Sequence, residues 1–120
     1  MIYNDQDPAF AYSSGWSDLI DAKAYNGQIK RTTSVGSSIT FSFTGQKFSI
    51  IYKSGSLYGN MEIYVDGVLV HTLNQNSASS VYQQKWSYSG TLSPGTHQLR
   101  LVYSSGPGDG RITLDAVSVP

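Results

Sequence analysis

The sequence predicts an all-β fold, a two-sheet antiparallel β-sandwich of about nine strands. From residue 28 onward, apolar residues alternate with polar ones, and glycine- and proline-rich turns recur at a spacing of roughly 8 to 12 residues. No stretch of helical length carries the three- and four-residue apolar spacing of an amphipathic helix. A chain of 120 residues fits one domain, so we expect residues 1–120 to form a single sandwich.

The segment 38–44 is the clearest strand, because Ile39, Phe41 and Phe43 lie on one side of an extended chain and Thr and Ser residues on the other. Asp66-Gly67 separates two β-type runs and predicts a tight hairpin, since both central residues of a type I′ turn need positive φ. The predicted strands are 9–13, 28–34, 38–44, 46–53, 61–65, 68–73, 81–89, 97–103 and 111–119.

The charge composition argues against partners that are bound through strong cationic surfaces. Charged residues make up 13% of the chain and the formal net charge is zero, so we expect neither nucleic-acid binding nor membrane insertion. The polar residues are mainly Ser, Thr, Gln and Asn, accompanied by nine Tyr, a composition typical of exported β domains. We therefore expect an extracellular location, either secreted or on a cell surface.

Cysteine is absent, which excludes a disulfide framework and a cysteine-ligated metal. No apolar run approaches the ~18 residues of a membrane helix, and no signal peptide precedes Ile2. These observations favour a soluble domain or a piece of a larger protein.

Several short segments carry a family resemblance by their order and spacing. They are 3–8, 12–16, 63–68, 82–84, 92–97 and 114–119. Together they resemble the galactose-binding-domain-like jelly rolls of bacterial and fungal extracellular proteins, several of which are carbohydrate-binding modules. The resemblance implies a non-catalytic module that binds poly- or oligosaccharide, forms part of a multidomain protein and is a monomer when isolated. Because the fold also has adhesion and structural members, an adhesion or spacer module is the alternative.

Sugar recognition needs flat aromatic faces flanked by side chains that hydrogen-bond hydroxyl groups. The resemblance implies one aromatic in the loop after the first strand and another near the start of a late strand, which here match Tyr25 and Tyr82. In a regular strand Tyr82 falls on the same side as Trp86 and Tyr88. The alternative to a ligand-binding role is therefore that Tyr82 lies in the core. The further candidate ligand-binding residues are Trp16, Asn26, Tyr58, Gln84, Asp109 and Arg111.

These further candidates also have structural interpretations. Trp16 can lie in a loop and stack on a ligand, or it can pack against one end of the sandwich. The second interpretation is supported because large aromatics usually bury much of their area. Tyr58 lies in the glycine-rich loop 53–60, where the apolar–polar pattern does not predict that it is buried. We expect it to line a groove. Asp109 and Arg111 can hydrogen-bond a ligand from a loop edge or belong to a solvated turn.

No cofactor is required by any motif, but a structural calcium ion is one prediction. Asp115 lies in an otherwise apolar strand, where an unpaired carboxylate would be unfavourable. In related modules such an acid holds calcium together with N-terminal acids, here Asp5 and Asp7, and carboxylate oxygens suit that ion. The alternative is an Asp115 carboxylate that is bonded to backbone N–H groups or to a neighbouring side chain.

The sequence offers little for catalysis. His71 and His97 are the only histidines, there is no Cys nucleophile, and no Gly-x-Ser-x-Gly motif occurs. Paired carboxylates for glycoside hydrolysis would have to come from scattered acids. We therefore expect that the domain is not an enzyme.

Overall fold

The computed structural model describes residues 1–120 and consists almost entirely of strands. Its one helical element is a three-residue 3-10 turn, Tyr25–Gly27, and no helix is long and apolar enough to cross a membrane. The strands are β1 (Ile2–Asn4), β2 (Phe10–Tyr12), β3 (Trp16–Ile20), β4 (Gln28–Thr32), β5 (Ser38–Thr44), β6 (Ser49–Ser54), β7 (Asn60–Val65), β8 (Val68–Asn74), β9 (Val81–Ser87), β10 (Thr96–Ser105), β11 (Ile112–Leu114) and β12 (Ala116–Ser118).

The strands form two facing layers. One layer is a five-stranded sheet in the order β2-β5-β10-β7-β8. The other consists of a four-stranded sheet, β1-β12-β6-β9, and a three-stranded sheet, β11-β4-β3, which follow one another along the chain at Asp115. All strand pairs are antiparallel. The predicted all-β sandwich is thereby confirmed.

The core lies between the two layers and follows the predicted alternation. Ile39, Phe41 and Phe43 of β5 are all buried, and they belong to a cluster of 18 buried residues drawn from both layers. The rings of Phe10 and Phe41 stack with their centroids 4.5 Å apart. Burying each such side chain contributes about 1.5–3 kcal/mol, so β5 anchors the domain.

The strand count is higher than predicted, twelve against about nine. β1 and β3 were not predicted, because neither shows a clear apolar alternation. The predicted strand 111–119 is divided in two at Asp115. Leu114 and Val117 both belong to the core although they are three residues apart, so the alternation slips by one residue between them.

The Asp66-Gly67 hairpin is confirmed, with positive φ of 51° and 82° at its two central residues. Asp66 Oδ1 accepts a hydrogen bond from the Gln98 amide at 2.8 Å, and its Oδ2 lies 2.6 Å from His97 Nδ1. His97 Nε2 lies 2.6 Å from the Ser93 carbonyl oxygen. Because both ring nitrogens face acceptor oxygens, the protonated imidazolium satisfies both contacts. The bond to Asp66, followed by that to Ser93, raises the pKa of His97.

A buried polar network joins β6 to β11, whose backbones are not neighbours in one ladder. Gln75 and Thr113 are both fully buried. Gln75 Oε1 accepts from the Thr113 amide at 2.8 Å, and Gln75 Nε2 donates to the Thr113 carbonyl at 3.0 Å. Thr113 Oγ1 in turn accepts from the Lys53 amide at 3.0 Å and donates to the Lys53 carbonyl at 2.9 Å. The side chains thus replace a missing stretch of sheet.

Gln75→Ala is expected to destabilise the domain by about 2–4 kcal/mol, because it leaves the buried N–H and C=O of Thr113 without partners. Urea unfolding measures this loss. Gln98→Ala is the matched control, since the Gln98 side chain is exposed and its removal should change the free energy of unfolding by no more than about 0.5 kcal/mol. A loss in Gln75→Ala as small as that of the control would contradict the role given to the network.

The contribution of His97 to stability is expected to depend on pH. Its pKa in the folded state lies above its unfolded value of about 6.5, so the contribution is complete below about pH 6.5 and is lost as the pH rises through the folded pKa. Melting temperatures measured between about pH 6 and pH 9 should show this loss in the native domain. The loss should be absent from His97→Gln and should persist in His71→Gln, which leaves both His97 contacts in place. An unchanged pH profile in His97→Gln would refute the assignment.

Candidate functional site

A β-bulge in β9 determines where Tyr82 points. Between two successive cross-strand pairs, β9 has two residues, Tyr82 and Gln83, where β6 has only Lys53. Gln83 has a positive φ of 52°, which is uncommon outside glycine. The extra residue brings Tyr82 to the outer face with Lys53, whereas Gln84 is half-buried and returns to the core-facing side with Trp86. The core placement suggested by alternation therefore does not apply to Tyr82.

Four residues surround the half-buried Tyr82 ring and are called the Tyr82 cluster: Asp21, Lys23, Lys53 and Tyr82 itself. Lys53 Nζ lies 4.7 Å and Lys23 Nζ 5.5 Å from the ring centroid. Lys53 Nζ is also 3.6 Å from Asp21 Oδ2. Lys53 is buried and fixed by this pair, whereas Lys23 is exposed, so a ligand can displace Lys23 from the ring without breaking the ion pair.

Asp21 stays ionised within this cluster. Burial opposes its ionisation, but the hydrogen bond from the Lys23 amide at 3.1 Å, the Tyr82 hydroxyl and the Lys53 ammonium together hold its pKa below the usual value. The cluster therefore presents an aromatic ring, two cations and one carboxylate. Such groups can stack against a sugar ring and hydrogen-bond its hydroxyls.

The loop that carries Tyr25 and Asn26 lies beside this cluster. Gln83 Nε2 donates to the Lys23 carbonyl at 3.2 Å, which ties the loop to the bulge in β9. Tyr25 is half-buried in the 3-10 turn, and Asn26 is exposed with a positive φ of 57°. The structure thus places the loop that bears Tyr25 next to the strand that bears Tyr82.

Asp109 and Arg111 lie elsewhere, around a separate hollow of about 460 Å³, the Arg111 hollow. An Arg111 terminal nitrogen donates to the Asp109 carbonyl at 3.1 Å, and the guanidinium carbon lies 5.9 Å from the centroid of the Tyr58 ring. The hollow is lined by Thr33, Gly108, Asp109, Gly110 and Arg111. It has polar and charged walls but no aromatic face.

Two residues that were predicted to bind the ligand, Tyr58 and Trp16, instead pack within the protein. Tyr58 is only 7% exposed and packs so closely on Gly55 that a Cβ at Gly55 would lie 2.9 Å from its ring, which corrects the expectation that Tyr58 lines a groove. Trp16 is half-buried, donates from Nε1 to the Ser38 carbonyl at 3.2 Å and packs edge-on against Tyr12 at 5.6 Å. Trp16 therefore packs against the core, in line with its alternative interpretation.

The predicted calcium ligands are only partly assembled. Asp5 and Asp115 are fully buried, the Asp5 amide donates to the Asp115 carbonyl at 3.0 Å, and each carboxylate has one buried Oδ1 without a hydrogen-bond partner. Asp115 Oδ2 accepts from the Tyr25 amide at 2.9 Å. Burial raises the pKa of both carboxyls to about 6. The Asp7 side chain instead accepts from the Ala9 amide at 2.9 Å, and no three acids or histidines converge.

Sequence reasoning missed Asp21, Lys23 and Lys53. The only available signal was a lysine directly after the apolar run 50–52, and this signal does not show which residue the lysine contacts.

A second hollow of about 390 Å³, at the opposite end of the sandwich, was also not predicted. Its wall has no aromatic side chain and consists of Thr44, Gly45, Gln46, Lys47, Thr91, Pro94, Gly95 and Pro120.

The two-layer antiparallel fold defines a galactose-binding-domain-like jelly roll, as the sequence resemblance implied. More specifically, the chain belongs to the carbohydrate esterase 2 N-terminal family, whose model matches residues 22–119.

The chain spans only a small part of the curated relatives that it matches. Over 99 residues, it is 27% identical to an A type blood N-acetyl-alpha-D-galactosamine deacetylase of Flavonifractor plautii, a match that covers 82% of this chain and 13% of the relative. A family 35 carbohydrate binding module from an environmental isolate superposes with a TM-score of 0.74 at 20% identity, covering 100% of this chain and 92% of that one. A Paenibacillus xanthan lyase superposes with a TM-score of 0.75 at 17% identity over 98% of this chain and 13% of the lyase. The structural likenesses show the shared fold.

Proposed function

We propose that this domain is a non-catalytic carbohydrate-binding module of a larger extracellular protein. It binds a poly- or oligosaccharide at the Tyr82 cluster, beside the loop that carries Tyr25 and Asn26. Gln84, which was predicted to bind the ligand, lies on the core-facing side of β9 and is not part of this surface. Its family membership supports this proposal, as does the curated relative, an A type blood N-acetyl-alpha-D-galactosamine deacetylase. A carbohydrate-binding module of nearly the same length has the same fold. The isolated domain is proposed to be a monomer.

The observation that carries the proposal is the outward turn of Tyr82 at the β9 bulge. A tyrosine ring on an outer face can stack on the apolar side of a sugar, and Asp21 and Lys53 supply charged hydrogen-bonding groups beside it. A spacer or adhesion module requires no such outward-facing ring with convergent polar groups. Glycan binding therefore discriminates between the two functions.

A non-catalytic role agrees with the positions of the histidines. His71 stacks on Trp86 with a centroid distance of 4.7 Å, and His97 has both ring nitrogens against acceptors. Neither is arranged beside a nucleophile as a general base. Catalysis in the larger protein is therefore assigned to another domain.

Tyr82→Ala and Tyr25→Ala are expected to weaken glycan binding at least about fivefold, because each removes an aromatic surface of the site. The native domain is first screened by affinity electrophoresis against galactan, xylan, mannan and N-acetylgalactosamine-terminated oligosaccharides, and the best binder is then titrated by calorimetry. Tyr64→Ala is the matched control, since Tyr64 is also half-buried and lies beside a cation, Arg100, but on the other layer. Failure of the native domain to bind any of these glycans would favour the spacer function.

We also propose that Asp5 and Asp115 hold a structural calcium ion, without Asp7. Two buried carboxylates with unpartnered oxygens suit a hard cation, which would compensate their charge when bound. The hydrogen-bonded Asp7 side chain is not needed for this site.

Added calcium is expected to raise the melting temperature at neutral pH, and a chelator to reverse the rise. The response should disappear in Asp115→Asn and persist in Asp7→Asn. Identical melting curves of the native domain with calcium and with chelator would rule the ion out.

A further inference from the structure

The strand register places Arg31 and Arg111 on the same face of the second layer, the face turned away from the core. Arg31 of β4 is directly opposite Thr113 of β11 in the antiparallel ladder, so the two side chains are on the same face. Arg111 precedes Thr113 by two residues and therefore falls on that face as well. Diagonal neighbours of this kind are about 7–8 Å apart, within reach of one small ligand group.

Neither arginine has an anionic partner within the protein. The three ion pairs are formed by Lys30, Lys53 and His97, and no carboxylate lies within ion-pair distance of an arginine. Both Arg31 and Arg111 are half-buried, and in each the Nε–H is buried without an acceptor. Because buried polar groups are nearly always paired, these donors represent unused hydrogen-bonding capacity. Rotation of each guanidinium toward solvent would make that capacity available to a ligand.

The same face carries further positive charge. The ammonium groups of Lys53 and Lys23 both lie at the Tyr82 ring on this layer, and the backbone of Lys53 is hydrogen-bonded to the Thr113 hydroxyl. Within the Tyr82 cluster only Asp21 offsets this charge. The face is therefore cationic although the whole chain has a formal net charge of zero.

We propose that Arg31 and Arg111 form a carboxylate-binding subsite, and that the ligand of the domain is a polysaccharide containing uronic acid. A guanidinium binds a carboxylate through two parallel hydrogen bonds, a geometry that a neutral hydroxyl does not match. This inference rests on the proposed glycan-binding function and specifies its ligand class. Arg31 and Tyr82 lie on the same layer, Arg31 in β4 beside β11 and Tyr82 in β9 beside β6.

A substitution at Asp109 tests whether the ligand that binds beside Arg111 is an anion. It lines the Arg111 hollow, its side chain is exposed, and it forms no ion pair. Its carboxylate repels an incoming anion but would accept hydrogen bonds from a neutral sugar. Asp109→Asn should therefore strengthen binding of a carboxylated glycan.

The subsite is tested by titrating the ¹⁵N-labelled domain with trigalacturonate while following the arginine Nε–Hε signals by NMR. The Arg31 and Arg111 signals should shift and the Arg100 signal should not. In affinity electrophoresis through polygalacturonate, Arg31→Gln and Arg111→Gln should each weaken retention about tenfold, a loss typical of one charge-assisted hydrogen bond. Arg100→Gln, a change at an exposed arginine of the other layer, should leave retention unchanged.

Three results would overturn the subsite. The first is unaltered retention of both arginine variants, and the second is unmoved Arg31 and Arg111 signals. The third is equal retention of the native domain by dextran sulfate or duplex DNA, which would show unspecific attraction to polyanions. If neutral galactan or xylan still binds in a Tyr82-dependent way, the glycan-binding function stands and only the subsite fails. If no neutral or acidic glycan binds at all, both proposals fail.

Discussion

The Thr113 hydroxyl joins β11 to the backbone of β6, and the side-chain amide of Gln75 pairs with the backbone groups of Thr113 that no strand reaches. Both backbone groups of Thr113 pair with this amide, while the Thr113 hydroxyl pairs with the backbone of Lys53. All these groups are buried, where an unpaired polar group would be strongly unfavourable. Loss of one partner therefore leaves buried polar groups unpaired and destabilises the second layer. Its position also fixes Lys53, on which the candidate site is built.

Regular and irregular strand segments have different roles in this molecule. The regular alternation of β5, β7 and β10 fills the core. Two irregular points, the bulge at Tyr82 and Gln83 and the break at Asp115, lie in the second layer and turn polar or aromatic groups away from the core. Bulges often occur next to functional sites because they redirect a side chain without disrupting the sheet around it. The candidate site lies at one of these two points, the bulge in β9.

This division explains what could be predicted from the sequence. Core positions such as Phe41 and the Asp66-Gly67 turn follow from local pattern and turn chemistry, and the structure confirms them. The outward turn of Tyr82 depends on the positive φ of Gln83, which no local signal announces for a glutamine. The burial of Tyr58 depends on close packing against Gly55, and the Asp21–Lys53 pair joins residues distant in sequence. Such long-range contacts follow from the three-dimensional arrangement and not from the residue pattern.

The distribution of charges over the surface could not be predicted from the composition either. Equal numbers of acidic and basic residues suggested a neutral surface, but the fold distributes them unevenly. Two acids, Asp5 and Asp115, are buried, and others are engaged by Lys30, Lys53 and His97. These arrangements leave Arg31 and Arg111 without acidic partners on one face. Net charge describes long-range attraction and solubility, whereas recognition depends on which charges the fold leaves unpaired beside a surface that a ligand can reach. A chain that is neutral overall can therefore select an acidic ligand while attracting few other polyanions.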